Sequence, residues 1–300
     1  MKTDIEREPL EVRWRADAVL VGVSVVWGVD FVLVKNLLGL VPALPFLFWR
    51  FALAAVFCAV FLPGRRRTPG LVRDGLLLGA LATVGMGLQV VGQVLTTASN
   101  ASFLTGLASV MTPVAAFLLL RKLPTLENGL GIAVAGAGFV LMTFPGAGAA
   151  INRGDLLVFG CAVAWAFYIV VLAERSSRHD AAWLTAIQIV VVAAAAGLAA
   201  LWLEGPEGVR AGIAPILARP GLVVQVIFLA AAGTAATFLF QAWAQGQMSA
   251  THAAVIFTLE PVVTALSAAW FLGERLGPRG WAGGVLVLAG IVVAEMRLRR

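Results

Sequence analysis

The chain has 300 residues, of which 60% are hydrophobic and only 13% charged, and its formal net charge is +6. A soluble domain carries about 25% charged residues, so this composition excludes an ordinary soluble globular protein. Nor does the positive charge point to nucleic acid, because Lys and Arg sit at the termini and between long apolar runs, a pattern that belongs to membrane orientation.

An opening charged segment, 1–15, precedes the first apolar run at 16–35. No small-residue cleavage site follows it, so that run is expected to be a permanent helix rather than a signal peptide. It carries Trp27 and Asp30, three residues apart and hence on one helical face, with Lys35 near its end. The second span, 43–62, carries Arg50. Charges at membrane depth are costly and face a bundle interior or a watery cavity. Asp30 and Arg50 lie on successive spans joined by a short loop. They are expected to pair or to face a cavity entrance, and a pair serves either transport or the mere orientation of two helices.

The third span, 74–97, includes 76–94, a run without an ionised residue. About 18 such residues suffice for a bilayer-crossing helix. Only helices or closed barrels satisfy the backbone in lipid, and the absence of strict alternation argues against a barrel. Gln89 and Gln93 share one face of this span. Uncharged amides recognise polar groups without the cost of a buried charge; the alternative is packing. Span four, 101–120, bears Ser102, Thr105, Ser109 and Thr112 as one polar stripe, either lining a cavity or bonding between helices, and also Pro113. Span five is 127–144.

Span six, 154–173, places Trp165 and Tyr168, the sole tyrosine, on one face. Aromatic walls with a few polar groups suit apolar, aromatic or cationic ligands; the alternative for each ring is core packing. Span seven, 181–203, is followed by the longest connection, 204–221, which has room for a short surface helix. Span eight, 222–244, carries Gln241. Span nine, 250–271, sets His252, Ile256 and Glu260 at four-residue steps, and Pro261 follows the acid. His252 and Glu260 are candidates for proton coupling. Proline frees backbone groups and kinks a helix, so Glu260, Pro261 and Pro113 are also candidates for a structural or gating role, the alternative to proton coupling. Span ten is 280–295. Cys58 and Cys161 lie inside apolar runs and are expected to pack there.

The spans repeat. A shift of 138 residues lays Asp17 on Asp155, Gly22 on Gly160, Trp27 on Trp165 and Arg50 on Gln188. A shift of 148 lays Gly85 on Gly233, Gln93 on Gln241 and Pro113 on Pro261, and a shift of 152 lays Gly131 on Gly283 and Gly138 on Gly290. The shift changes only in loops, where insertions are tolerated. Five spans is an odd number, so the second copy enters the membrane inverted. The expected fold is all-α, ten transmembrane helices as two inverted five-helix repeats, an arrangement of secondary transporters. The expected organisation is a cytoplasmic segment 1–15, repeats at 16–149 and 150–296, and a cytoplasmic tail 297–300. Fifteen of the Lys and Arg residues fall on the side of the termini and six on the other, which puts both termini in the cytoplasm of a cell whose inner (plasma) membrane holds the chain.

Residues 248–294 read MSATHAAVIFTLEPVVTALSAAWFLGERLGPRGWAGGVLVLAGIVVA. Glu260-Pro261, Leu272-Gly273-Glu274 and the Gly-rich last span resemble the closing segment of EamA-type members of the drug/metabolite transporter superfamily. Trp27-Gly28 with Phe31, and Phe48-Trp49-Arg50-Phe51, add to that resemblance, which runs from about 16 to 294. The first half departs from it, with Leu120-Arg121-Lys122-Leu123 in place of the Leu-Gly-Glu turn. The resemblance implies a central cavity and export of metabolites or amino acids; one branch, the YddG-like exporters, handles aromatic and other amino acids and some cationic drugs.

No phosphate loop, HExxH, GxSxG or clustered His/Cys/Asp set is present, so no cofactor, metal or enzyme activity is expected. The expected function is export of small metabolites, foremost amino acids or related amphipathic compounds, by alternating access, with a small-molecule substrate, the lipid bilayer and protons as partners. The cavity candidates are Trp27, Asp30, Arg50, Gln89, Gln93, Trp165, Tyr168 and Gln241. The competing readings are an exporter of cationic drugs or other metabolites, an intramembrane lipid-modifying enzyme, and a channel.

Overall fold

The structure is a computed structural model that describes residues 10–60, 62–123, 125–143 and 152–295. All regular elements among these are helical: α1 (Leu10–Leu38), α2 (Ala43–Ala59), α3 (Leu71–Leu95), α4 (Ala98–Leu120), α5 (Leu126–Thr143), α6 (Arg153–Arg175), α7 (Ala181–Ala211), α8 (Pro220–Gln245), α9 (Ala250–Phe257 and Leu259–Phe271) and α10 (Pro278–Glu295). Seven are long and apolar enough to cross a membrane, and the apolar parts of α2, α5 and α10 are shorter. The chain is a multi-pass membrane protein. Short polar residues start several helices: Thr97, Asn152, Asp180 and Ser249 each accept a hydrogen bond from a first-turn N–H of α4, α6, α7 and α9.

The ten expected spans are all present; most edges shift by up to three residues, and four differences are larger or interrupt a helix. α1 begins at Leu10, so part of the expected terminal segment 1–15 is helix. α7 runs past 203 to Ala211 but breaks at Gly205, whose φ of 69° is left-handed; Pro206 then opens the short surface helix for which the loop had room. α8 is interrupted by a π-helical turn at Ala231–Ala236. α9 is interrupted at Thr258. The expected repeat boundary at 149–150 and the tail 297–300 lie outside the described residues.

The pairing of helices is that of a pseudo-two-fold axis. α2 packs on α7, and α5 on α10; α3 against α6 is matched by α8 against α1, and α4 against α6 by α9 against α1. One pair of contacts shows the exchange at single-residue level. A Cβ on Gly138 would stand 2.5 Å from the Gly283 carbonyl oxygen, and one on Gly290 would stand 2.6 Å from the Gly131 carbonyl oxygen. The shift of 152 turns the first contact into the second, as a two-fold relation requires, and only glycine admits that approach of α5 and α10 backbones. Arg121 occupies the place of Gly273 under the same shift, and both are left-handed, with φ of 57° and 64°. The turn therefore survives in the first half although its Leu-Gly-Glu sequence does not.

Candidate functional site

A cavity lies between the halves, enclosing about 650 Å³ of space free of atoms, part of it open to solvent. Helices α1, α2, α3, α4, α6, α8 and α9 line it, so each repeat contributes to its wall. Of the candidates, Trp27, Asp30, Arg50, Gln89, Trp165, Gln241 and Glu260 line this cavity.

Asp30 is deeply buried. It meets Arg50 in a forked pair: Nη1 donates to Oδ2 at 3.0 Å and Nη2 to Oδ1 at 2.8 Å. The fork is docked on the π-turn of α8, where Arg50 Nε donates to Thr234 Oγ1 at 2.8 Å and Nη2 to the Gly233 carbonyl at 3.1 Å. The turn exposes that carbonyl to α1 and α2, and Trp27 Nε1 also donates to it, at 3.3 Å. A Cβ on residue 233 would lie 2.3 Å from Asp30 Oδ1, so the approach of the acid requires glycine here.

The second half repeats this arrangement without charge. Tyr168, the mate of Asp30, donates its hydroxyl to Oε1 of Gln188, the mate of Arg50, at 2.7 Å. Trp27 Nε1 donates to Thr237 Oγ1 at 3.1 Å, and Trp165 Nε1 to Gln89 Oε1 at 3.4 Å; the shift of 148 relates Thr237 to Gln89. Phe238 joins the halves, with edge contacts to both Trp27 and Trp165 at 6.2 Å between ring centroids. Phe257 lies 5.6 Å from Trp27.

Glu260 lines the same cavity and is 7% exposed, yet no ion pair or side-chain hydrogen bond reaches its carboxylate among the described residues. Among the described residues Gln241 Oε1 there also lacks a hydrogen-bond partner, while Thr105 Oγ1 lies by the Cys161 thiol. The expected stripe on α4 thus divides. Thr105 and Ser109 line the cavity, whereas Ser102 accepts from Thr264 and Thr112 bonds to its own helix.

Other candidates sit elsewhere. Tyr168 is fully buried behind Trp165, held by Gln188. Gln93 donates to the Phe31 carbonyl at 2.6 Å and does not line the cavity, and Lys35 caps the end of α3 through the Gln93 and Val94 carbonyls. His252 is half-exposed and meets Asp17 at 2.8 Å; the break at Thr258 separates it from Glu260. Pro261 packs near Gly106 of α4, and Pro113 is buried in α4. Among the described residues no group of three or more His, Cys, Asp or Glu is placed to hold a metal.

Sequence reading missed Phe238, Phe257, Gly233, Thr234 and Thr237. A signal existed for Thr237, since the shift of 148 carries Gln89 onto it. Phe238 had none: its mate is Val90, so neither the repeat nor a motif marks it.

Comparison with known proteins gives a consistent picture. The profile of the EamA-like transporter family matches residues 14–144 and 152–296. An uncharacterized transporter of Archaeoglobus fulgidus is 26% identical over 95% of this chain and 87% of its own. Uncharacterized transporter YyaM of Bacillus subtilis is 27% identical over 94% and 93%. A probable amino-acid metabolite efflux pump of Salmonella typhimurium is 27% identical over 93% and 94%. One crystal structure superposes with a TM-score of 0.67 at 16% identity, covering 93% of this chain and 95% of that one; at that identity the likeness concerns the fold alone.

Proposed function

The chain belongs to the EamA-like transporter family, and from that premise we propose that it is a secondary transporter that exports small amphipathic metabolites, amino acids foremost, by alternating access. The observation that carries this reading is the cavity between two inverted repeats, lined from both halves by aromatic rings and a few polar groups. Inverted repeats supply two related packings of one fold, each opening the same central site to a different side. The Salmonella typhimurium relative, a probable amino-acid metabolite efflux pump, supports the substrate class. The distribution of Lys and Arg supports an inner-membrane protein with both termini in the cytoplasm. Glu260 is the residue we assign to proton coupling, because an unpaired buried carboxylate must be met by a proton or a cation.

The test is counterflow in liposomes holding the purified protein. Vesicles preloaded with one unlabelled amino acid are given the same labelled compound outside. A carrier shows saturable uptake stimulated by the internal compound. Uptake that rises linearly with concentration and ignores the internal load would identify a channel, and chemical conversion of lipid would identify an enzyme.

A further inference from the structure

A second hollow shares no lining residue with the central cavity. It encloses about 740 Å³ of space free of atoms, part of it open to the surroundings, between Cys58 of α2, Ala182 and Thr185 of α7, and Ala231, Ala235 and Ala236 of the π-turn. Gly233 and Thr234 of the same turn bond to Arg50 instead. The hollow therefore runs from the π-turn, inside span eight, to the end of the bundle where α2 stops and α7 starts. Small side chains leave the space open. Its one hydroxyl, on Thr185, already donates to the Phe238 carbonyl at 3.3 Å, so an occupant meets an apolar wall. Within a membrane such a groove takes a hydrocarbon chain. A lipid tail gains little by leaving other tails for it, so any selectivity has to come from the headgroup.

We propose that this groove holds one acyl chain of an anionic phospholipid, whose phosphate is taken by Arg66 and Arg67. The groove and the α2–α3 loop meet on the first turn of α7, which supplies Ala182 to the wall. There Arg65 Nη1 donates to Asp180 Oδ2 at 2.8 Å, and Trp183 Nε1 donates to the Arg65 carbonyl at 3.3 Å. The Arg67 guanidinium lies 4.0 Å from the centroid of the Trp183 ring. Three consecutive arginines are thus fixed at the mouth of the groove. Arg65 is neutralised by Asp180. Arg66 and Arg67 are exposed and have no acidic partner among the described residues. Stacking on Trp183 uses the face of the Arg67 guanidinium and leaves its N–H edge, the geometry that captures phosphate. The bias of Lys and Arg toward one end of the spans accounts for charge here, but not for a loop tied down beside an apolar slot. Basic residues at a membrane surface draw anionic headgroups in preference to zwitterionic ones. The inference goes beyond the transporter reading and does not depend on it.

Native mass spectrometry of the full chain in detergent tests this, with phosphatidylglycerol and phosphatidylcholine of identical oleoyl chains as the two probes. One phosphatidylglycerol is expected to bind at least roughly ten-fold more tightly than phosphatidylcholine. R66Q/R67Q changes two exposed positions and is expected to bind both lipids alike, at the affinity the wild type shows for phosphatidylcholine. A236F fills the groove from the π-turn and leaves both arginines in place. Once shown to keep its thermal transition, it is expected to lose at least roughly ten-fold in affinity for phosphatidylglycerol. C58F fills the same space from α2 and replaces A236F in the test if that variant does not fold. Equal binding of the two lipids by the wild type overturns the inference. So does an undiminished preference in R66Q/R67Q, which would place the headgroup elsewhere. Full phosphatidylglycerol affinity in a folded groove-filled variant overturns it too, since the chain would then lie outside the groove.

Discussion

Asp30 and Arg50 are 4% and 2% exposed, which makes their pair a matter of balance between a large desolvation cost and a large attraction. Removing one partner strands the other. Asp30→Asn and Arg50→Gln are each expected to lower stability by about 3–5 kcal/mol. The double replacement is expected to cost less than either single one, because the second half of the same molecule holds its helices with the neutral pair Tyr168–Gln188 at the equivalent place. Thermal unfolding in detergent, over the full double-mutant cycle, checks this; additive losses would show that the pair is not the interacting unit. At this scale much of the site was open to sequence reasoning. Trp27, Asp30, Arg50, Gln89, Trp165, Gln241 and Glu260 declare themselves because a polar or indole group in a lipid-crossing segment needs a reason. Tyr168 and Gln93 carry the same mark and answer it differently, each donating within the bundle, to Gln188 or to the Phe31 carbonyl. No residue type distinguishes a polar group facing a cavity from one facing a neighbouring helix.

The helices themselves were legible as apolar runs, and the repeat was legible as matched Trp, Gln and Pro. Their interruptions were not. The π-turn of α8 follows from its neighbours: Thr234 Oγ1 donates to the carbonyl of Leu229, five residues back, while accepting from Arg50, so the wide turn is held by a side chain of another helix. Runs of Ala and Gly at 230–236 read equally well as regular helix. The turn has a sharp steric requirement at Gly233, and its mate Gly85 has a softer one: a Cβ there meets the Trp165 ring at 3.1 Å rather than a carboxylate oxygen at 2.3 Å. Gly233→Ala is therefore expected to displace Asp30 from Arg50, to lower stability by about 1–3 kcal/mol as overpacking does, and to impair transport. Gly85→Ala is expected to be milder on both counts, since an indole ring slides by tenths of an ångström more readily than a fork of two hydrogen bonds. Melting temperature and counterflow measured on the two variants side by side decide it, and equal losses would remove the special role of the π-turn.

Across the whole molecule, the cavity is flanked by two sets of bonds between the halves, one at each end. At the end that holds the start of α3, Asp74 of the first half meets Arg175 at 3.5 Å and His179 at 3.0 Å, and Arg65 meets Asp180 at 2.8 Å. At the opposite end Glu274 of the second half caps α4 of the first, accepting from Ala98 N at 2.8 Å, Ser99 N at 3.1 Å and Ser99 Oγ at 2.7 Å, while Thr96 bonds to Asp155. The glutamate of the Leu-Gly-Glu turn is thus a tie between repeats, a role the turn sequence alone did not disclose. Alternating access requires that one tie open while the other holds. Hydrogen bonds to a charged group contribute about 1.5–3 kcal/mol, so removing one tie is expected to shift the balance between the two openings by roughly ten-fold or more. In a protein with Cys58 and Cys161 replaced by Ala and Thr105→Cys placed in the cavity, Glu274→Ala is expected to speed labelling by a membrane-impermeant thiol reagent applied from the side of the α3–α4 loop. Asp74→Ala is expected to slow labelling from that side and to speed it from the other. Opposite responses to the two substitutions are what a rocking pair of repeats must give. Labelling that rises from both sides with either substitution would mean that the ties merely hold the bundle together, and that access to the cavity is governed by other contacts.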